Sequence, residues 1–202
     1  MTHSNELSET ATQPQLALSN EIAATTNADA TFMFVMLDLD VPPQNGTQRR
    51  VLLHALNTGF KLTSQTVGTA RLLVSSAKGP AAYIGPGPPA TDTIAHRYVQ
   101  LLFEQPATLR LSDSDFTSIT NRIGFDVQNF IATERLSAPI AGNFITVDGR
   151  AEAATPSGAT PTGTGTGGRP TSSPEPFTGA AARSGKHLAL AAVLGGLAVL
   201  AI

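Results

Sequence analysis

Several polar residues stand inside or at the ends of strongly apolar stretches of this sequence. Asp38 and Asp40 follow the run TFMFVML, and His96 and Tyr98 lie two positions apart at the start of HRYVQLLFEQ. Since alternate residues of a β-strand face the same side, each of these pairs is predicted to share one face. His54 lies within the apolar stretch RRVLLHALN. A buried charge is costly unless it is paired or hydrogen-bonded, so these groups must satisfy one another, water or a ligand.

Such a cluster offers hydrogen-bond donors and a counter-charge to an anionic head group. The same residue types could instead hold a metal ion, but no H-x-H or H-x-x-x-H spacing occurs, and neither G-x-S-x-G nor H-E-x-x-H is present. We therefore expect a binding protein that is not an enzyme and that carries no cofactor or metal. A hydrolase or metal enzyme is the alternative. Each histidine taken alone is also explained by an ordinary, hydrogen-bonded place in the core.

The composition limits which functions are possible. The chain has 202 residues, a formal net charge of -2 and no cysteine, so disulfides and cysteine-ligated metal sites are excluded. Lysine and arginine are scattered, and aromatic residues make up 5% of the chain, with no tryptophan. Neither a basic groove nor an aromatic stacking platform is indicated, and we expect no nucleic-acid partner.

The order of the predicted elements favours a mainly β protein. Strands mostly follow strands, and helical spacing comes late, over residues 113–134, where Ser112 or Ser114 could cap the helix and Gly124 could split it. This order predicts an antiparallel β-sandwich with peripheral helices rather than an alternating α/β fold. The predicted strands cover residues 31–37, 49–57, 68–76, 94–106 and 138–147.

Composition divides the chain into four parts. Residues 1–30 are polar and are expected to be poorly ordered or to add one edge strand, and residues 31–150 hold the folded domain. Residues 151–187 contain a linker rich in Thr, Ser, Pro and Gly. This composition cannot bury enough apolar area to order itself, so it predicts a disordered stalk and spacer. Residues 188–202 form a hydrophobic C-terminal segment.

The end of the chain has the layout of a glycosylphosphatidylinositol attachment signal, because a stalk, small residues, a polar spacer and an apolar tail follow in that order. Gly179 is the expected attachment residue. A tail-anchor helix is the alternative, although the 15-residue apolar run is shorter than the ~20 residues of a comfortable bilayer span. We therefore predict a glycoprotein, modified at Asn45 of the Asn-Gly-Thr sequon, on the outer face of the plasma membrane or cell wall. No signal peptide is visible, so we expect the true start to lie upstream of Met1.

Five motifs, taken in order, resemble the phosphatidylethanolamine-binding protein family, which includes kinase-inhibitor, carboxypeptidase-inhibitor and plant flowering-signal members. Together with the C-terminal signal, they suggest a fungal-type member with a glycosylphosphatidylinositol anchor. The resemblance implies a β-sandwich with one large antiparallel sheet, a smaller one and peripheral helices. The motifs are DLDVP (38–42), RRVLLHAL (49–56), GPGPP (85–89), HRYVQLLFEQ (96–105) and LSAPIAGNF (136–144).

The resemblance also implies a small anion pocket that accepts a phospholipid head group or a similar small anion. In it, His54 and His96 would donate to phosphate oxygens, and Tyr98 would supply a hydroxyl or a ring edge. Asp38 would orient a histidine or receive an ammonium group. The resemblance further allows a protease or kinase as the partner of an inhibitor. By position in the motifs, the pocket residues are Asp38, Asp40, His54, Gly87, Pro89, His96 and Tyr98.

The sequence departs from the family pattern at two places near this pocket. Leu39 stands where the family has proline in the Asp-x-Asp turn. The stretch 90–95 lacks the usual glycines and is one residue longer than the family pattern. Leu39 loosens this turn, and the longer stretch affects where His96 is placed relative to the GPGPP loop.

Overall fold

The computed structural model describes residues 10–112 and 114–150, and the backbone of residues 197–200. Within this part of the chain, seven strands form one antiparallel sheet in the order β6-β5-β2-β3-β4-β1-β7. The strands are β1 (Gln15–Ser19), β2 (Phe32–Val41), β3 (Arg50–Val67), β4 (Ala70–Val74), β5 (His96–Glu104), β6 (Ala141–Val147) and β7 (Leu197–Leu200). The helices are α1 (Asn20–Thr25), a 3-10 helix (Ile119–Asn121) and α2 (Val127–Thr133).

Strand β2 is covered on both faces, as its continuous apolar run predicts. On one face, Phe34 and Met36 belong to a core that also contains residues of β1, β4 and β5. On the other face, Met33 and Val35 pack in a second core with Phe130 of α2. All four of these β2 side chains are fully buried. Packing on both faces fixes the position of β2, and Asp38 and Asp40 lie near its end.

Strand β3 joins the two halves of the sheet. Its first part pairs with β2, and its last part, from Lys61 onward, pairs with β4. Gly59 lies at this transition with a φ of 75°, a conformation that suits glycine because it lacks Cβ. The mainly β, antiparallel fold is confirmed. The shared β3 makes the sandwich one curled sheet, and the Cα atoms of β6 and β7 approach within 8 Å.

Of the two alternatives expected for residues 1–30, poor order does not hold for residues 15–25, where the structure has the added strand; it is an inner strand, since β7 pairs with its other side. Strand β1 pairs with β4, and Leu16 and Leu18 are buried in the core beneath β2. Helix α1 follows at once, and the Ser19 hydroxyl accepts from the backbone N–H of Ile22 at its start. Leu16, Ala17 and Leu18 bury enough apolar area to hold this segment in place once β4 supplies hydrogen-bond partners. The folded domain therefore begins before the expected boundary at residue 31.

The helix expected over residues 113–134 is two shorter elements. Gly124 has a φ of 80°, which ends the first stretch. Next to it, Ile123 pairs with Leu52 of β3, so the backbone here adds to the sheet. Neither Ser112 nor Ser114 caps α2; the cap is Asp126, whose carboxylate accepts from the backbone N–H of Asn129 at 2.9 Å.

The stalk of residues 151–187 and the expected attachment site at Gly179 lie outside the described residues. Of the C-terminal segment 188–202, the structure describes residues 197–200, which pair as β7 with β1 in antiparallel register. The sequence did not predict this strand. Among the described residues, no helix is both long and apolar enough to cross a membrane.

We expect Leu18→Ala to lower the free energy of unfolding by roughly 2–5 kcal/mol, because it removes a fully buried side chain from the main core. Chemical denaturation of the two purified proteins measures the difference. Val74→Ala is the control, since Val74 is 48% exposed and its truncation should cost less than ~0.5 kcal/mol. A Leu18→Ala protein as stable as the parent would show that β1 does not pack on the domain.

Candidate functional site

His96, the first residue of β5, lies between two carboxylates. Its Nδ1 is 2.8 Å from Asp38 Oδ2, and its Nε2 is 2.8 Å from Asp92 Oδ2. The ring is almost completely buried. An ionised carboxylate only accepts hydrogen bonds, so with Asp38 and Asp92 both ionised each ring nitrogen donates and the ring is an imidazolium. Both ring nitrogens are thus in use.

Asp92 comes from the loop before β5 and joins a second cation to the cluster. Arg49, which precedes β3, donates to both oxygens of Asp92, at 2.6 and 2.7 Å. These hydrogen bonds, and then the one from His96, hold the pKa of Asp92 far below its usual range. Arg49 also donates to the backbone carbonyl of Asp40. The end of β2, the start of β3 and the loop before β5 are therefore connected through one carboxylate.

His54 of β3 has one nitrogen in use and one without a partner. Its Nδ1 donates to the backbone carbonyl of Ile84 at 2.8 Å. Burial lowers the pKa of His54 below its usual value, although the Ile84 hydrogen bond acts in the opposite direction. The ring is therefore neutral and its Nε2 is a bare acceptor. This buried atom has no hydrogen-bond partner among the described residues and lies 4.0 Å from Asp38 Oδ2.

The hydroxyl of Tyr98 is a second buried polar atom without a partner. It faces the carboxylate of Asp38 and the backbone N–H of Gly87, but no contact in the described part reaches hydrogen-bond geometry. Burial, and then the charge of Asp38, raise the pKa of Tyr98, so the hydroxyl keeps its proton. The His54 and Tyr98 rings meet edge to face, with centroids 5.1 Å apart. The two unpartnered groups therefore lie side by side. We call the part of the site that they share with Asp38, Gly87 and His96 the corner.

Asp40 is not part of this corner, contrary to the sequence prediction. Its carboxylate accepts from the backbone N–H of Arg97 at 2.9 Å and from the Arg97 guanidinium at 2.8 and 2.9 Å. These hydrogen bonds lower the pKa of Asp40. The pairing of β2 with β3 is irregular between Asp38 and Val41, so the simple two-residue alternation does not hold there. Asp40 stabilises the strand end and has no free oxygen for a ligand.

The loop GPGPP forms the wall beside Tyr98. A Cβ added at Gly87 would meet no atom within 4 Å, so this stretch of backbone is open on the side where a ligand could approach. Pro89 is exposed and lies away from the corner; its carbonyl accepts from the backbone N–H of Asp92 at 3.0 Å. Gly149 presses against the loop, since a Cβ there would lie 2.1 Å from the carbonyl oxygen of Pro88. The segment after β6, which contains Gly149, therefore holds the GPGPP loop in place.

The structure brings most of the predicted residues together, with changed roles. The phosphate-donor role expected for His96 does not fit the geometry, because both of its nitrogens contact carboxylates. Arg49 and Asp92 were missed by the sequence analysis. Two weak clues existed: Arg49 directly precedes the arginine of the R-x-x-x-H pattern, and Asp92 lies in the lengthened stretch before His96. The residues that share the corner are Asp38, His54, Gly87, His96 and Tyr98.

A comparison with protein families agrees with this fold. The sequence profile described as "PBP: Phosphatidylethanolamine-binding protein" matches residues 1–146. The match covers well over half of the chain, so the protein belongs to the phosphatidylethanolamine-binding protein family.

Similar proteins occur in fungi and in a nematode. "Phomoidride biosynthesis cluster protein N" of Talaromyces stipitatus is 38% identical over 118 residues, which are 56% of this chain and 57% of that protein. The protein of the same name from a fungal species is 31% identical over 140 residues, which are 67% of this chain and 60% of that protein. The "26 kDa secreted antigen" of Toxocara canis is 27% identical over 137 residues, covering 67% of this chain and 48% of the antigen. The chain thus spans about half to three fifths of the length of these relatives.

One solved structure is also similar. A carboxypeptidase Y inhibitor, complexed with its cognate proteinase, superposes with a TM-score of 0.45 at 25% identity. The superposition covers 61% of this chain and 62% of the inhibitor chain.

We expect His96→Ala to destabilise the fold by about 3–5 kcal/mol, because it leaves two buried carboxylates without their shared cation. Tyr98→Phe is the matched control on the same strand face. It removes only a hydroxyl without a partner, so stability should change by less than about 1 kcal/mol. Denaturant unfolding of both variants measures the contrast. Equal stability of His96→Ala and the parent would mean that the two carboxylates do not depend on this ring.

Proposed function

We propose that this family member is a binding protein whose corner takes one small phosphate-bearing head group of the phosphoethanolamine type, held there by Asp38, His54, Gly87 and Tyr98. One observation carries the proposal: His54 Nε2 and the Tyr98 hydroxyl are buried, adjacent and unpartnered. Buried polar groups in folded proteins are nearly always hydrogen-bonded. We therefore expect a ligand to supply the hydrogen bonds that these two atoms lack.

The donors and acceptors of the corner suit a zwitterion. The Tyr98 hydroxyl keeps its proton and can donate to a phosphate oxygen, and the backbone N–H of Gly87, which faces this hydroxyl, is a second donor beside it. His54 Nε2 and Asp38 Oδ2, 4.0 Å apart, are both acceptors and can receive N–H or O–H groups from one ligand. An ammonium group supplies several donors, and the charge of Asp38 balances it. A phosphate group alone would leave these acceptors less well satisfied.

Binding without catalysis is part of the proposal. A general base must have a nitrogen or oxygen that can take up a proton from the substrate. His96 has no such nitrogen, because Asp38 and Asp92 use both. His54 Nε2 is a free acceptor, but burial lowers the pKa of His54, which makes it a weaker base, and no hydroxyl or carboxylate of the described residues lies within hydrogen-bond distance of it to be activated. These contacts support a site that holds a ligand rather than one that moves protons.

Isothermal titration calorimetry with phosphoethanolamine tests the proposal. Tyr98→Phe removes one donor to a charged group, a hydrogen bond worth ~1.5–3 kcal/mol, so its affinity should fall by roughly ten- to a hundred-fold while the fold persists. Tyr83→Phe is the control: it also loses a tyrosine hydroxyl, but that hydroxyl donates to the backbone carbonyl of Thr10, outside the corner.

Two results would contradict this function. One is the absence of heat or thermal stabilisation at millimolar phosphoethanolamine with the folded parent protein. The other is equal affinity of Tyr98→Phe and Tyr83→Phe, which would place the ligand elsewhere. Titrations with ethanolamine and with inorganic phosphate separate the contributions of the two ends of the head group. Inhibition of a protease or kinase stays a prediction from the family resemblance.

We also propose display of the domain at the cell surface through a glycosylphosphatidylinositol anchor at Gly179. The support is the order of stalk, spacer and apolar tail in the sequence. Asn45, the expected glycosylation site, lies in an exposed turn and is accessible for modification. Attachment at Gly179 would remove residues 180–202, including β7, and would leave the outer edge of β1 without its partner strand.

If the anchor is correct, phosphatidylinositol-specific phospholipase C should release the protein from cells that express the chain behind a secretory leader. A chain that ends at His187 lacks the apolar segment and should appear in the medium without treatment. Retention after phospholipase treatment, with a mass that still includes Ile202, would support the tail-anchor alternative instead.

A further inference from the structure

The Asp92 carboxylate makes contacts that resemble those of a bound anion. It receives two hydrogen bonds from the Arg49 guanidinium and one from His96 Nε2, all between 2.6 and 2.8 Å. A forked guanidinium and a second cationic donor are the groups that proteins commonly use to bind phosphate. The side chain of Asp92 is 4% exposed, so its charge is enclosed with these partners.

Asp92 is the carboxylate that Arg49 and His96 share. With the His96 ring as an imidazolium, three cations and three carboxylates are in direct contact in this cluster. Loss of Asp92 would leave Arg49 without a carboxylate partner beside the buried His96 ring, and an unpaired charge in such a place is costly and attracts an anion. The cations are Arg49, His96 and Arg97, and the carboxylates are Asp38, Asp40 and Asp92.

We propose that Asp92 is a specificity-determining residue: its carboxylate occupies the Arg49–His96 cation pair as a resident anion, and a ligand phosphate reaches that pair only by displacing it. This inference rests on the proposed function, since it describes the cationic border of the same pocket. The His96 and Tyr98 rings stack with centroids 6.4 Å apart, so the cation pair adjoins the unpartnered Tyr98 hydroxyl. The intact chain therefore discriminates against free phosphate and favours ligands that also satisfy the acceptors of the corner.

Asp92 can leave its position without breaking the sheet. It lies in the loop before β5, outside any strand ladder. Within its loop, Asp92 donates its backbone N–H to Pro89, and its carboxylate faces the backbone N–H groups of Thr93 and, at 3.4 Å, Ile94. Arg49 is 26% exposed, so the cation pair can be reached from solvent once the carboxylate rotates away.

Asp92→Asn tests the proposal, because it keeps the shape of the side chain and removes its charge. Inorganic phosphate is the probe, measured by calorimetry on the full chain. We expect phosphate affinity to rise at least tenfold over the parent, and phosphate to raise the melting temperature of the variant more than that of the parent. The gain should disappear in Asp92→Asn combined with Arg49→Ala. Asp29→Asn is the matched control, since it removes one exposed negative charge before β2, at the opposite end from Asp38, and should leave phosphate affinity unchanged.

The outcomes separate this inference from the proposed function. If folded Asp92→Asn binds phosphate within twofold of the parent, Asp92 is not a resident anion, whatever the parent does with phosphoethanolamine. If the parent does not bind phosphoethanolamine but Asp92→Asn gains Arg49-dependent phosphate binding, the inference stands and the proposed head group is wrong.

A second measurement needs no substitution. The carboxyl carbon of Asp92 in the isotope-labelled parent should shift in the NMR spectrum when phosphoethanolamine saturates the protein, because the carboxylate leaves Arg49. A signal that stays in place at saturation would overturn the inference even if Asp92→Asn failed to fold.

Discussion

The placement of one imidazolium between two carboxylates is the interaction on which the rest of this site depends. His96 connects Asp38, at the end of β2, with Asp92, in the loop before β5. Because Asp92 also holds Arg49, three segments distant in sequence are joined at one buried point. Each member would be costly to bury alone, and together they satisfy one another. The network also fixes the GPGPP loop, because the stretch that carries Asp92 follows GPGPP directly in the chain.

The network divides the polar residues of the site into two groups with different uses. Asp40, Asp92 and His96 have their hydrogen-bonding capacity in use and hold the strand ends in place. His54 and Tyr98 each keep one buried atom without a partner. A folded protein normally avoids such atoms because they lose their hydrogen bonds to water. Stability is thus supplied by the paired charges, and the adjacent unpaired atoms are left available for recognition.

The sheet that supports this site closes through its first strand. β1 buries Leu16 and Leu18 against the core beneath β2, on the face that also carries Tyr98. Residues 15–25 are therefore part of the fold that supports the site. β7 covers the far edge of β1 in the intact chain.

The sequence by itself determined the mainly β fold, the two-sided burial of β2 and the group of polar residues at the strand ends. These features follow from local patterns: apolar runs, turn residues, and the order of motifs such as HRYVQLLFEQ. Only the tertiary structure decided that Asp40 pairs with Arg97, that Arg49 and Asp92 join the site, and that the added N-terminal strand is an inner one with a partner on each side. The physical reason is that a charge has no preferred partner until the fold sets distances. A short strand likewise has no stability until another strand supplies its hydrogen bonds.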